Sequence, residues 1–174
     1  MEKCTRPDIA YAAHQCARFT ESPKQEHGKA VRWLVRYLKG TIDKGIIMHP
    51  NTSVDLQLFV DADFSGNWSR AEATDRDSAR SRHGYIILYN DCPLLWKSQM
   101  QTEIALSSTE SEYIGISSGL RDVIPIMRTL TEMKEHGFPI GRVDSDVFCR
   151  VFEDNSGALE MAKVHTSLVL VQST

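Results

Sequence analysis

The sequence predicts a mixed α/β domain behind a helical leader, with the element order β, β, β, α, β, α after the leader. Three observations carry this. Apolar residues recur at helical spacing over residues 24 to 39, switch to a period of two from Val54, and return to helical spacing after Ser107. Two strand-like runs flank an Asn90-Asp91 pair, which is a hairpin signature. A β-rich stretch at residues 146 to 152 then follows the longest helix, where a parallel partner for the first strand belongs.

Residues 8 to 19 and 24 to 39 read as the leader helices, separated by Thr20-Glu-Ser-Pro23, where Ser22 can cap and Pro23 suits a first helical turn. In the second helix Ala30, Val31, Leu34, Val35 and Leu38 make one apolar stripe. Lys29, Arg32, Arg36 and Lys39 lie largely off it, and Gly40 supplies the stop. A basic face of this kind is usually solvated, with phosphate contact as the second reading.

Leu56, Leu58 and Val60 then alternate with polar neighbours in a strand that ends at Asp61-Ala-Asp-Phe64. The polar stretch from 65 to 82 has no apolar period and predicts a mobile loop. Residues 84 to 89 and 94 to 98 form the hairpin strands. Ser107 or Ser108 caps the main helix, whose apolar content is Tyr113, Ile114, Ile116, Leu120, Val123, Ile124 and Met127, and Pro125 should kink or split it. After the strand at 146 to 152, Asn155 or Ser156 caps a short helix through Ala162. Residues 167 to 174 can make a strand, but no element follows to cover it.

The 174 residues, 41% of them hydrophobic, suit about one domain with a real core. Twenty basic against 23 acidic residues leave a formal charge of -3, so neither a basic tail nor an acidic disordered chain dominates. Cys4, Cys16, Cys92 and Cys149 are too scattered for a zinc site, and the six histidines show no metal-ligand spacing. No long apolar run marks a signal peptide or a membrane span, which predicts an intracellular chain, cytoplasmic or nuclear.

Three acids sit where such a fold can make them converge: Asp61 at a strand end, Glu110 in the first turn of the main helix and Asp154 after the fourth strand. Gathered carboxylates repel one another unless a cation lies between them. Magnesium suits hard oxygen ligands, and two such ions about 3.5 to 4 Å apart support phosphodiester hydrolysis without a histidine or cysteine nucleophile. Each acid also has a purely structural account, as a turn residue, a helix-start acid and a cap. Neighbouring acids compete for the roles. Asp63 shares a strand face with Asp61, whereas Glu112 turns to the opposite side of the helix from Glu110 and Glu153 points away from Asp154. A haloacid dehalogenase-type nucleophile at Asp61-Ala-Asp63 is the weaker reading, because that fold has a parallel sheet where a hairpin is read here.

The chain resembles the ribonuclease H region of copia-type retrotransposon polyproteins. Arg6-Pro-Asp-Ile-Ala-Tyr11, His27 through Arg36-Tyr-Leu-Lys-Gly-Thr41, Asp61-Ala-Asp-Phe-Ser-Gly66, Ser81-Arg-His-Gly-Tyr85, Trp96-Lys-Ser-Gln99, the block from Ile104 to Tyr113 and Glu153-Asp-Asn-Ser-Gly-Ala158 fall in the family's order. The resemblance implies a ribonuclease H-like fold acting on the RNA strand of an RNA–DNA hybrid. Residues 1 to 50 would be the tail of a reverse transcriptase, its thumb or connection helices, and 51 to 174 a ribonuclease H-like domain. Asp61, Glu110 and Asp154 match the first three metal-binding carboxylates, holding two Mg2+ ions, with Mn2+ as the alternative. The fourth has no candidate, since only Glu160 follows Asp154 among the acids, and the last strand and helix of the family are expected to be cut short. Arg70, Arg80, Arg82 and Lys97 are the candidate hybrid contacts near the cleft. The competing expectation is an inactive remnant that keeps the fold and does no chemistry.

Overall fold

The leader folds as two short helices that brace each other. α1 (Ala10–Ala17) follows a 3-10 turn at Pro7–Ile9, and α2 (Gln25–Gly40) starts after an extended Lys24. This is a computed structural model, and it describes residues 5–66, 68, 70, 74, 76–141, 146–163 and 168–172. Ser22 does not cap α2: the Lys24 N–H donates instead to His27 Nδ1 at 3.0 Å. Arg6 ties the two ends of the leader, donating to Thr41 Oγ1 at 2.7 Å and to Asp8 Oδ2 at 2.8 Å, and the Tyr37 hydroxyl donates to the same Asp8 oxygen.

Five strands build one mixed sheet: β1 (Leu56–Asp63), β2 (Arg82–Tyr89), β3 (Cys92–Met100), β4 (Cys149–Glu153) and β5 (Leu168–Gln172). Their order is β3-β2-β1-β4-β5. β1, β2 and β3 pair antiparallel, while β4 runs parallel to both β1 and β5. Asn90 and Asp91 both adopt positive φ, 51° and 62°, as a type I′ hairpin turn demands. The final segment, read as a possible strand, does supply one: β5 pairs along the full length of β4.

α3 (Ser108–Glu135) covers the sheet, and α4 (Ser156–Ala162) follows β4. Ser107 caps α3 by accepting the Glu110 N–H at 3.1 Å, and Asn155 caps α4 by accepting the Ala158 N–H at 3.0 Å. Pro125 does not divide α3. Its missing N–H removes one rung of the ladder, while buried Val123 and Leu130 hold the helix to the core on either side. The helix comes close because Gly115 and Gly119 face the sheet. A Cβ on Gly119 would meet Leu58 Cδ1 at 2.9 Å, and one on Gly115 would meet Val60 Cγ1 at 3.0 Å.

Leu56, Leu58, Val60, Ile87, Ile116, Val123 and Val151 form the centre of the core. The stretch after β1 is stitched where it is described: Ser65 N–H donates to Ser81 Oγ at 3.2 Å, and Ser65 Oγ donates to the Ala79 carbonyl at 3.0 Å. Those two bonds close the stretch at its base, and residues 67, 69, 71–73 and 75 of the expected mobile loop lie outside the described residues.

Candidate metal centre

The carboxyl ends of β1 and β4 lie side by side because the strands are parallel. Leu58 is level with Val151 and Phe59 with Phe152, a register that, carried two residues further, brings Asp61 level with Asp154. Over this edge sits the first turn of α3. Glu112 belongs to the buried face of that helix, four residues before Ile116, and is itself buried. The backbone N–H of Ala62, at the end of β1, acts on this carboxyl to favour its charged form, against the burial that disfavours it. Glu153 ends β4 on the same side as Cys149 and Val151 and is 0% exposed. Its Oε1 accepts the N–H groups of Asp154 at 3.1 Å and Asn155 at 3.2 Å.

Glu112, Glu153 and Asp154 each offer an oxygen within 4.8 Å of the others. The second oxygens of Glu112 and Glu153 are buried and accept no hydrogen bond among the described residues. Burial first, then the charges of Glu153, Asp61 and Asp154, push the Glu112 carboxyl up to about 8. Burial likewise raises Glu153, to about 7, although its two backbone donors favour the charged form. An arrangement that holds acids protonated near neutrality is one that a divalent cation discharges, and an all-oxygen donor set fits magnesium.

No protein-family model matches the chain, and no solved structure matches it. Curated relatives do. The chain is 33% identical over 160 residues, 92% of its length, to the "Retrovirus-related Pol polyprotein from transposon TNT 1-94" of Nicotiana tabacum. It is 34% identical over 129 residues, 74% of its length, to the "Retrovirus-related Pol polyprotein from transposon RE1" of Arabidopsis thaliana. The chain belongs to the copia-type retrotransposon Pol polyproteins. It spans 11% and 8% of those two relatives. It is also 32% identical over 120 residues to "Secreted RxLR effector protein 161" of Plasmopara viticola, of which it covers 79%.

Within this Pol polyprotein segment the expected acids part company. Asp61 and Asp154 lie at the shared edge, both exposed. Glu110 does not join them: its carboxylate accepts the Leu106 N–H at 2.7 Å, and its own N–H is bound by the Ser107 cap, a local capping arrangement on the exposed side of α3. Glu112 occupies the place read for Glu110. The two differ by about 200° around the helix, and the face that points inward carries Glu112, Gly115, Ile116, Gly119 and Val123. That i, i+3, i+4, i+7 series was present in the sequence; an acid on the apolar stripe was the missed signal. Glu153 was missed likewise, although it continues the alternation of Cys149 and Val151.

The candidate hybrid contacts also divide. Arg70 is exposed. Arg80 pairs with Asp77 at 2.9 Å. Lys97 pairs with Asp122 at 2.7 Å and lies over the Tyr85 ring, and the Tyr85 hydroxyl donates to the same carboxylate. Arg82 is 4% exposed, so it is not a surface contact. Its Nη1 reaches His14 Nδ1 at 3.0 Å and Ser98 Oγ at 3.3 Å under the Tyr11 ring, joining α1 to the sheet. Among the described residues no helix is long and apolar enough to cross a membrane.

Proposed function

We propose that this Pol segment is a ribonuclease H-type hydrolase that cuts the RNA strand of RNA–DNA hybrids formed in reverse transcription. Asp61, Glu112 and Asp154 are its metal-binding carboxylates, with Glu153 beside them. The observation that carries the reading is the approach of the Glu112, Glu153 and Asp154 carboxylates to within 4.8 Å of one another, with a buried oxygen on Glu112 and on Glu153 that has no hydrogen-bond partner among the described residues. Bound magnesium supplies charge neutralisation at the phosphodiester and an activated water.

The protein's own part is positional. Glu153 grips the turn that presents Asp154, accepting the N–H groups of Asp154 and Asn155. Gln172 of β5 supports that turn from the other side, donating to the Asp154 carbonyl at 3.4 Å. Residues 1 to 50 act in this reading as the end of the reverse-transcriptase region, and 51 to 174 as the hydrolase domain. The partners are the hybrid and the rest of the polyprotein, and the site of action is intracellular, cytoplasm or nucleus.

A second reading is an inactive remnant that keeps the fold and does no chemistry: Glu160, on the helix that follows Asp154, is exposed and ion-paired with Lys163 at the end of that helix, so it adds no carboxylate to the cluster. A magnesium-dependent cleavage assay on a labelled hybrid, run on wild type, Glu112→Gln and Glu110→Gln, separates the two. The hydrolase reading expects Glu112→Gln to abolish cleavage and Glu110→Gln to retain it. Cleavage that survives Glu112→Gln would remove the proposed site, and a wild type that neither cleaves nor binds magnesium in calorimetry is the remnant.

A further inference from the structure

We infer that the cationic face of α2 is a docking surface for the phosphate backbone of a nucleic-acid duplex, separate from the carboxylate edge and independent of cleavage. Lys29, Arg32, Arg36 and Lys39 are spaced three, four and three residues apart, which places them on one side of the helix over about 15 Å. All four are exposed. Trp33 stands in the same row, 68% exposed, with the Arg36 guanidinium stacked over its ring at 5.6 Å from the centroid.

The chain as a whole is negative, so this row is not a sample of a general positive excess. It contrasts with the cations near the carboxylates, of which Arg80 and Lys97 are ion-paired and Arg82 is buried. On α2 the ion pair found is Lys29 with Glu26 at 3.8 Å, between two well-exposed side chains, a contact worth little in water. The orientation of the row is fixed from behind: Ala30, Leu34 and Tyr37, with Trp33 at the border between this face and the cations, line a groove with Asp8, Ile9 and Ala12, and Tyr37 is bonded to Asp8.

Charge complementarity selects the occupant. A duplex presents about one negative charge per 1.7 Å of its axis, and guanidinium groups match phosphate geometry in a way that ammonium groups do not. The flat, exposed indole adds a surface for a sugar or an unstacked end base. An anionic membrane would need the apolar stripe for insertion; Leu34 and Leu38 are half-buried against the leader while Val31 and Val35 are exposed, so the guanidinium–phosphate match favours the duplex and the vesicle arm of the test separates the two.

The test is fluorescence anisotropy of a labelled RNA–DNA hybrid with the full chain in EDTA, over a series of salt concentrations, comparing wild type with Arg32→Gln/Arg36→Gln. Glutamine keeps helix propensity, and circular dichroism checks the fold. The expected result is about tenfold weaker binding and a salt slope lower by about 2, one for each cation removed. A second pair, Lys29→Gln/Lys39→Gln, should lower the slope by the same amount, and Arg121→Gln/Arg128→Gln on α3 should leave it unchanged. Unchanged affinity and slope in both α2 pairs would overturn the inference. So would binding to phosphatidylserine vesicles, lost in the same variants, with none to the hybrid. Because no magnesium is present, failure of the carboxylate chemistry leaves this readout intact.

Discussion

The buried carboxylate of Glu153 accepts the backbone N–H of the residue that follows it, Asp154, at 3.1 Å, so the inner acid of the pair holds the outer one in place. The bond fixes the exit of β4 and, through Asn155, the entry to α4.

Glu153→Ala should therefore weaken magnesium binding although Asp154 is untouched. Removing a group that orients a metal ligand typically lowers affinity about 10- to 100-fold. Isothermal titration with magnesium reads this directly. Glu153→Gln, which can keep its Oε1 on the two N–H groups, should fall between wild type and alanine. If Glu153→Ala titrates as wild type does, the orienting role is wrong.

Two buried groups give the metal-free protein opposite pH dependences. His83 is 3% exposed, and burial, followed by the charges of Arg82 and Lys97, lowers it from 6.5 to about 4. It is neutral in the fold, so its contribution is present above pH 6.5 and lost as pH falls towards 4, to a limit of about 3 kcal/mol. Glu112 behaves the other way. Held up at about 8, it contributes below pH 4.5 and loses that contribution as pH rises through 8. Above pH 6.5 only the carboxylate slope remains. The thermal midpoint in EDTA should thus fall between pH 6.5 and 8.5, and Glu112→Gln should make that fall shallower, leaving the share of Glu153 up to about 7, whereas His83→Gln should leave that fall unchanged and, by removing the opposing slope, make the midpoint drop with rising pH already between pH 4.5 and 6.5. A midpoint that holds steady from pH 6.5 to 8.5 contradicts the raised carboxyl.

Much of this was legible in the sequence, and the misses have physical causes. Element order, both side-chain caps and the type I′ turn follow from local chemistry at Ser107, Asn155 and Asn90-Asp91. Glu110 was read as the acid of the site because it satisfies a strong local rule, an acid in the first turn of a Ser-capped helix, while Glu112 breaks one by lying on the apolar face. Local rules are most informative where function does not override them. Arg82 was taken for a surface contact because a strand-entry arginine is ordinarily solvated. Only the packing of α1 across the sheet, through Tyr11 and His14, buries it.

Close helix–sheet packing gives two glycines in the same chain opposite outcomes. At Gly119 an added methyl meets fully buried Leu58 at 2.9 Å, so Gly119→Ala should destabilise by about 1 to 2 kcal/mol, overpacking outweighing the gain in helix propensity. Around Gly28 on α2 the nearest contact for a Cβ is Arg32 Nη1 at 3.9 Å, so Gly28→Ala should stabilise by up to about 1 kcal/mol. Urea unfolding of both variants checks the sign, and a stabilised Gly119→Ala would show that Leu58 can move aside.

Arg82 carries the last prediction. Its Nε and Nη2 are buried without a hydrogen-bond acceptor among the described residues, and burial lowers its pKa. What it does supply is packing of its stem and guanidinium plane against Tyr11 and two bonds from Nη1. A buried charge with incomplete partners is often replaced by an apolar side chain of similar length at no loss. Arg82→Met should leave the thermal midpoint equal or higher and the affinity for hybrid unchanged, while Tyr11→Ala, which opens the space above the guanidinium, should lower the midpoint. Weaker hybrid binding by Arg82→Met at full stability would mean that the arginine reaches the nucleic acid after all, and that α1 moves away from the sheet to let it.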